Sequence, residues 1–432
     1  MRNHEGIEIN MILLVVISIF LGLIGNIVFK KWHNPVTIFS YLWALIFFFY
    51  ILNLRDYYIV STKTEIIFTL QMIGFAFGGF CAHHLYYGKA NSIKETNTCY
   101  ELRIKAYLIL CIITIIVLLG DTIVVIENLL AGMTFEEMAQ EDVFTENSAT
   151  GIMVFIKIFI TFPVINSISA ITATEILFRR ETKQKYRWLL LVANVVIVLL
   201  HSLQHGARVM LITFFVIYFF VYLFSGKHNL QSKKAKRLIK WLCIAVPFLI
   251  FYMSLSRGIE MSRLGISIYH YLTGCVPHLH VILEKIEFDF EHTLGFASLN
   301  GFISPINILL NGLGIISRSP YLSRVASNYI SLPEVPSDVG NNVGMNAFVG
   351  PSYTMYLDFG FFGVLLGMFI YGYVCAYLYK KAQKTDSNRT KSLYFILLST
   401  LCVSFMRFSF CQYFVPMSVI LTTLLYERKK KQ

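Results

Sequence analysis

The run INMILLVVISIFLGLIGNIVF, Ile9 to Phe29, decides the class of fold. It contains no Asp, Glu, Lys or Arg, and Lys30-Lys31 follows at once. A helix needs about 20 consecutive apolar residues to cross the hydrocarbon core of a bilayer, so this run spans by itself. It does not have the pattern of a cleavable signal peptide and reads as a first transmembrane helix. Working outward, the rest of the chain repeats the pattern. Of its 432 residues 56% are hydrophobic and only 14% charged, with a mean hydropathy of +0.62. Soluble domains carry about 25% charged residues. Long apolar runs separated by short basic clusters account for the deficit.

Ten further apolar runs are candidate spans: 36–54, 65–87, 104–126, 151–177, 188–204, 208–225, 241–256, 351–379, 392–407 and 411–426. Residues 392–426 are too long for one straight span and barely enough for two, so a tight hairpin turning near Arg407 and Gln412 is expected. The fold class is all-α: a polytopic integral membrane protein with about eleven transmembrane helices and one large extracytoplasmic loop.

Orientation follows from the basic loops. Lys30-Lys31, Lys89 to Lys105, Arg179 to Arg187, Lys227 to Lys240, Lys380 to Lys391 and Arg428 to Lys431 all fall on one side if the spans alternate, and that side is cytoplasmic. The segment 131–150 then lies outside and carries Glu136, Glu137, Glu141, Asp142 and Glu146 with no basic residue. This places the N-terminus outside and the C-terminus in the cytoplasm. Three regions result: helices one to eight over 1–256, a large outer loop over 257–350, and helices nine to eleven with a basic tail over 351–432.

The formal charge of +12 is spread through these short loops, which speaks against nucleic acid as a partner. No Walker or dinucleotide glycine fingerprint occurs, so no nucleotide cofactor is expected. The eight cysteines include no CxxC and no zinc spacing, and no metal is expected. No internal repeat of the kind found in inverted-repeat transporters is visible.

Chemistry is sought in the outer loop and at the outer helix ends. The loop 257–350 is too apolar for disorder and is cut by Gly301, Pro305, Gly312, Gly314 and Pro320. Short helices on or dipping into the outer surface are expected, either lining a site or merely capping the helices below. Arg208 closes the stretch His201-Ser-Leu-Gln-His205-Gly-Ala-Arg208, and Arg257 and Arg263 open the loop. With Arg407 these place guanidinium groups at three separated points of the outer face. A guanidinium is a rigid, permanently charged fork that matches phosphate, and such a cluster would suit a lipid diphosphate. The alternatives are snorkelling of Arg208 to headgroups and a local helix pair between Arg263 and Glu260.

Among the loop histidines, His270 and then His278 or His280 are the candidate general bases, because neutral imidazole accepts a hydroxyl proton near neutral pH. His292 is a further loop histidine, and each one is also read as a packing residue. Asp358 stands at the outer start of the ninth span, either as a functional acid, expected to orient the arginines or the acceptor sugar, or as a helix-start charge. His83-His84, at the inner end of the third span, reads as structural.

The stretch Asn346-Ala-Phe-Val-Gly-Pro-Ser-Tyr-Thr-Met-Tyr-Leu-Asp358-Phe359-Gly360-Phe-Phe-Gly363-Val-Leu-Leu-Gly367 resembles the entry to the first helix after the large loop in Wzy-type oligosaccharide repeat-unit polymerases. Gly-Ala-Arg208, Ser-Arg257-Gly and Arg407 match the layout of that family, and span number and loop extend the likeness over most of the chain. The paired arginine–glycine spacing of its outer loops is not cleanly present. The resemblance implies a metal-independent membrane glycosyltransferase of GT-C-like architecture, acting on undecaprenyl-diphosphate-linked glycans as donor and acceptor at the outer leaflet. It implies that Arg208, Arg257, Arg263 and Arg407 hold diphosphate, and that the product is a surface polysaccharide such as O antigen or capsule. A chain-length regulator and a flippase would be its accessory partners. O-antigen ligases share this architecture, and a flippase for lipid-linked sugars or a membrane acyltransferase are the readings from other classes. A flippase should carry charges facing a cavity within its spans, whereas the polar groups here gather outside them.

Overall fold

The computed structural model describes residues 2–89, 99–133, 151–178, 184–204, 209–229, 264–286, 291–317 and 319–429. The helices are α1 (Arg2–Phe29), α2 (Pro35–Ile51), α3 (Thr62–Lys89), α4 (Ile104–Leu130), α5 (Gly151–Phe178), α6 (Gln184–Gln204) and α7 (Val209–Asn229). Short helices α8 (Leu264–Thr273), α9 (Cys275–Ile286), α10 (Asn300–Gly312) and α11 (Pro320–Val325) follow, then α12 (Ser352–Lys384), α13 (Asn388–Cys402) and α14 (Phe414–Leu425). Every expected span coincides with one of these helices except 241–256, which lies outside the described residues. Among the described residues six helices are long and apolar enough to cross a membrane: α1 from Asn10, α3, α4, α5, α6 and α12. The chain is an all-α membrane protein in class. α2, α14 and the apolar part of α7 are shorter apolar helices.

The chain divides into two compact units. The first comprises Met1–Lys94, Glu260–Lys384 and Thr400–Gln412. Its spine is the pair α3 and α12, which approach backbone to backbone through glycines. A Cβ on Gly78 would collide with the carbonyl oxygen of Phe369, one on Gly372 with that of Phe75, and one on Gly74 would come 2.7 Å from that of Leu365. Gly74 and Gly78 are one helical turn apart, the small-residue spacing that lets membrane helices meet closely without a hydrophobic drive between them. Phe39, Trp43, Phe47, Phe68 and Phe75 fill the contact between α2 and α3 with stacked and tilted rings.

α12 is broken near its start. Phe359 (φ −146°, ψ 26°) and Gly360 (φ +61°, ψ −142°) leave helical geometry, and the left-handed φ at Gly360 suits a residue without Cβ. The break releases the carbonyls of Leu357 and Asp358, which accept from the backbone N–H of Thr293 at 2.9 Å and Leu294 at 3.3 Å. The loop of this unit is otherwise held by short helices and by a two-stranded ribbon, Ser337–Asp338 (β2) against Gly344–Met345 (β3).

The second unit comprises Glu95–Ile259, Thr385–Ser399 and Tyr413–Gln432. Its core gathers Tyr107, Val164, Ile168, Leu190 and Ile197 from α4, α5 and α6. At one end a four-residue strand, Cys99–Leu102 (β1), pairs antiparallel with Tyr426–Lys429 (β4). The buried carboxylate of Glu175 there accepts hydrogen bonds from Asn388 Nδ2 and Tyr426 Oη, both at 3.1 Å. A charge in such a place persists only when hydrogen-bonded.

The last two helices are joined by a turn that contains Arg407 and Gln412, as expected, but the connection is longer than a tight hairpin. α13 ends at Cys402 and α14 begins at Phe414, with a turn and the 3-10 segment Ser409–Cys411 between them. Turn bonds close the helix end: the N–H of Ser404 donates to Leu401 O at 3.2 Å and that of Met406 to Val403 O at 3.0 Å. The turn is held from the stretch before α12, where the N–H of Val349 donates to Met406 O at 2.8 Å and that of Gly350 to Phe405 O at 3.2 Å, carbonyls that lie beyond the helical ladder.

Candidate functional site

The first unit brings two of the singled-out regions together: the stretch leading into α12 and the turn that carries Arg407. Gly350 and Arg407 form an isolated parallel bridge. Gly350 has φ +72°, which few residues adopt, and Pro351 follows it before α12 begins. On the other side Ala347 N–H donates to Pro333 O. Three segments of the chain, around 333, 349 and 407, thus meet at one place.

A narrow cleft opens there. Ile330, Pro333, Val349 and Gly350 line one part of it, and Tyr353, Thr354, Arg407 and Cys411 the rest. Arg407 Nη1 donates to Glu334 Oε1 at 2.7 Å. The arginine side chain is 17% exposed and that of Glu334 54%, so the pair has one foot in solvent and contributes little net stability. Its use is to aim the guanidinium. Tyr353 is fixed by donating its hydroxyl to Tyr329 O at 2.7 Å.

Asp358 lies one turn along α12 from Thr354 and is buried. One carboxylate oxygen accepts from Thr293 Oγ1 at 2.5 Å, from Gly295 N at 2.9 Å and from Ala297 N at 3.0 Å, and the other from Ser298 N at 3.0 Å. The carboxylate therefore organises the 293–298 turn. The expectation that it orients the arginines or an acceptor sugar has no contact behind it among the described residues. Its geometry is that of an anchor for the loop in front of α10.

The histidines separate by what their nitrogens do. His270 Nε2 lies 3.1 Å from Gly344 O, and its Nδ1 lies 2.9 Å from Tyr57 Oη. A carbonyl only accepts, so Nε2 carries the proton and Nδ1 accepts from the tyrosine. Burial, together with the charge of Arg55, holds the imidazole below its ordinary pKa, while the Gly344 carbonyl opposes this. The lone pair expected to take a hydroxyl proton is already engaged by Tyr57. His278 is fully buried and donates Nδ1–H to Phe348 O at 2.8 Å, so it ties α9 to the segment entering the cleft. Burial pushes its pKa down to about 4. His280 Nε2 lies 3.4 Å from Glu284 Oε1 one helical turn away, an imidazole–carboxylate pair. His292 Nδ1 approaches Leu357 O at 3.4 Å, beside the break in α12.

Arg208, Arg257, Arg263 and His205 lie outside the described residues. Of the four expected diphosphate arginines, Arg407 is the one whose surroundings are described. The residues that frame it, Glu334, Gly350, Tyr353 and Thr354, were not singled out from the sequence. A Gly-Pro pair just ahead of an apolar helix was the available signal for the turn at 350.

The chain matches no curated protein and no solved structure. Residues 348–405 match the family described as "Putative O-antigen polymerase", which supports a polysaccharide-polymerase role and agrees with the resemblance to the Wzy-type polymerases.

Proposed function

We propose that this protein polymerises undecaprenyl-diphosphate-linked oligosaccharide repeat units into a bacterial surface polysaccharide, by glycosyl transfer at the outer face of the cytoplasmic membrane. One observation carries the reading. The family-matched stretch begins at Phe348 and supplies Val349, Gly350, Tyr353 and Thr354 to the wall of the cleft that Arg407 also lines.

In the proposed reaction the anomeric carbon of the donor glycan leaves its lipid diphosphate and bonds to a hydroxyl of the acceptor unit. The hydroxyl proton goes to a base, and the negative charge goes to the departing diphosphate. Arg407 would meet that charge, with Arg208, Arg257 and Arg263 as further phosphate ligands. Fixed guanidinium groups aimed where charge develops lower the barrier without reorganising at the moment of reaction. Of the three histidines, His280 is the favoured base, because Glu284 can orient its ring and stabilise the imidazolium. His270 engages both nitrogens within the fold, and His278 has too low a pKa to take a proton near neutral pH. Asp358 acts as a positioning residue through the 293–298 turn.

The direct test is a gel of surface polysaccharide from a deletion strain, with and without the intact gene. Carriers bearing single repeat units, restored to long chains by the gene, support the proposal. Normal-length chains left on the lipid carrier point to a ligase, and units held inside the cell point to a flippase. In the complemented strain Arg257→Lys should shorten the polymer severely, because the fork is lost although the charge remains.

A further inference from the structure

The helix α10 of the outer loop has three faces, set by the 3.6-residue turn. Asn300, Ser304, Asn307 and Asn311 form a polar one. Gly301 and Pro305 form a second and are buried. A Cβ on Gly301 would collide with the carbonyl oxygen of Phe410 and come 2.7 Å from that of Gln412, so this face lies directly on backbone. Leu299, Phe302, Ile306, Leu309 and Leu313 form the third. It points outward: Ile306 is 56% exposed and Leu313 63%, and Leu299 and Leu309 are exposed as well.

A surface helix ordinarily buries its apolar stripe. α10 instead turns its small residues to the protein and its large apolar ones away from it. Leu294 to Ser317 contain no Asp, Glu, Lys, Arg or His. A stripe without a charged rim fits acyl chains better than a protein partner, whose interfaces carry polar rims. At 1.5 Å per residue the 13 residues of α10 cover about 20 Å, short of the roughly 30 Å hydrocarbon core, so the helix can lie in a leaflet and not cross it. Its end is closed internally, as an apolar medium demands. Gly314 has φ +70°, the N–H of Ile315 donates to Leu310 O at 2.9 Å, and that of Gly314 donates to Asn311 O at 2.8 Å. The stripe also continues the exposed side of a spanning helix. The N–H of the exposed Leu294 donates to Asp358 O beside the exposed Phe359, and Phe362, Leu366 and Ile370 carry that side down α12.

We propose that α10 is an interfacial helix seated in the outer leaflet of the phospholipid bilayer, with the stripe from Leu299 to Leu313 among the acyl chains. The seat sets a depth. Gly301 rests on Phe410 and Gln412, and Asn300 Nδ2 donates to Cys411 O at 3.1 Å, so α10 is fastened to the turn that carries Arg407. The helix holds that turn at the level of the lipid headgroups, where a lipid-linked diphosphate is presented. The seat is independent of the polymerase reading, and the use of its depth rests on that reading.

The test uses the full chain in vesicles of phosphatidylethanolamine and phosphatidylglycerol, with plain or brominated acyl chains. The tryptophan emission of the wild type is subtracted from that of Ile306→Trp and of Asn311→Trp. Bromine quenches only an indole that reaches the acyl chains. The Ile306→Trp signal should be blue-shifted and lose most of its intensity in the brominated vesicles, and the Asn311→Trp signal, from the polar face, should lose much less. Depth is read with the pair Ile306→Glu and Leu309→Glu, and with Ile306→Phe and Leu309→Phe as the conservative control. The acidic pair should elongate lipid-linked units up to roughly a hundredfold more slowly, as for a reacting geometry displaced by about 1 Å, and the aromatic pair should match the wild type. Both pairs should melt with the wild type in detergent, because the replaced side chains are exposed in the fold.

Unquenched, water-like emission from Ile306→Trp would mean that the stripe stands clear of the bilayer and would overturn the proposal. Blue-shifted but unquenched emission would mean that protein, such as a second copy of this chain, covers the stripe, and would overturn it equally. Quenched emission with full elongation by the acidic pair would overturn the hold of α10 on the depth of Arg407 and leave the seat. If the wild type elongates no glycan, the polymerase reading falls and the quenching still decides the seat.

Discussion

Asp358 Oδ1 accepts a hydrogen bond from Thr293 Oγ1 at 2.5 Å across 65 residues of sequence, and the same carboxylate takes three backbone N–H groups from the turn that follows Thr293. The break in α12 makes this possible, since it also frees the Leu357 and Asp358 carbonyls for the same turn. One residue thus couples the start of the family-matched helix to the loop that precedes α10.

Asp358→Asn should therefore act as a structural lesion. The amide presents an N–H₂ toward donors that need an acceptor, and hydrogen bonds to a charged group are worth about 1.5–3 kcal/mol each. The expected outcome is a clear fall in the unfolding midpoint of the purified protein, together with loss of polymer. A variant that keeps wild-type stability but loses all activity would instead assign the carboxylate a direct role with substrate.

Arg407 and Glu334 predict an asymmetry. If the guanidinium serves only its ion pair, Arg407→Lys and Glu334→Gln should be equally mild, because exposed pairs contribute about 0–1 kcal/mol. If it holds diphosphate, Arg407→Lys should lower the polymerisation rate at least roughly tenfold, which is about 1.4 kcal/mol of barrier, while Glu334→Gln changes it little. Rates for both single variants and the double variant decide the matter. Equal effects would remove Arg407 from the phosphate site.

The sequence made the spans legible because length and apolarity are local properties: Ile9–Phe29 needs no partner to be recognised. Asp358 and Arg407 were legible as charged residues at the outer ends of spans, and their roles were not. The donors to Asp358 are mostly backbone N–H groups 60 or more residues away, and Glu334 is 73 residues from Arg407. No side-chain pattern announces a backbone donor. The pairing of the turn after Cys402 was hidden for the same reason, since the backbone N–H groups of Val349 and Gly350 that reach Met406 and Phe405 are remote in sequence.

The crossing of α3 and α12 gives a packing prediction with an internal control. At Gly78 any Cβ meets the Phe369 backbone, so Gly78→Val should cost at least about 1–3 kcal/mol of overpacking strain. Gly120, in α4, has nothing within 4 Å of its would-be Cβ, and Gly120→Ala should leave the midpoint unchanged or raise it by roughly the helix-propensity difference, about 1 kcal/mol. Melting curves of the two variants in the same detergent make the comparison. Equal stability of Gly78→Val and wild type would contradict the close approach of the two backbones.

His278 predicts a pH dependence whose sign follows from its burial. Its pKa in the folded chain is about 4 against an ordinary value of 6.5, chiefly because burial disfavours the imidazolium, with Lys285 adding repulsion and the Phe348 carbonyl opposing both. Between those two values the unfolded chain binds the proton more readily than the folded one. The stabilising contribution of the neutral ring is therefore complete above about pH 6.5, shrinks as the pH falls, and is gone below about pH 4. His270 is shifted in the same direction by its own burial and by Arg55, so it adds to the loss. In His278→Asn the side-chain amide can still donate to Phe348 O but cannot titrate. That variant should be less stable than the wild type at pH 7.5, where packing is lost, and the gap should narrow steadily toward pH 4.5. Melting temperatures across that range test it, and a gap that stays constant would mean that His278 is not the buried neutral imidazole that fastens α9 to Phe348.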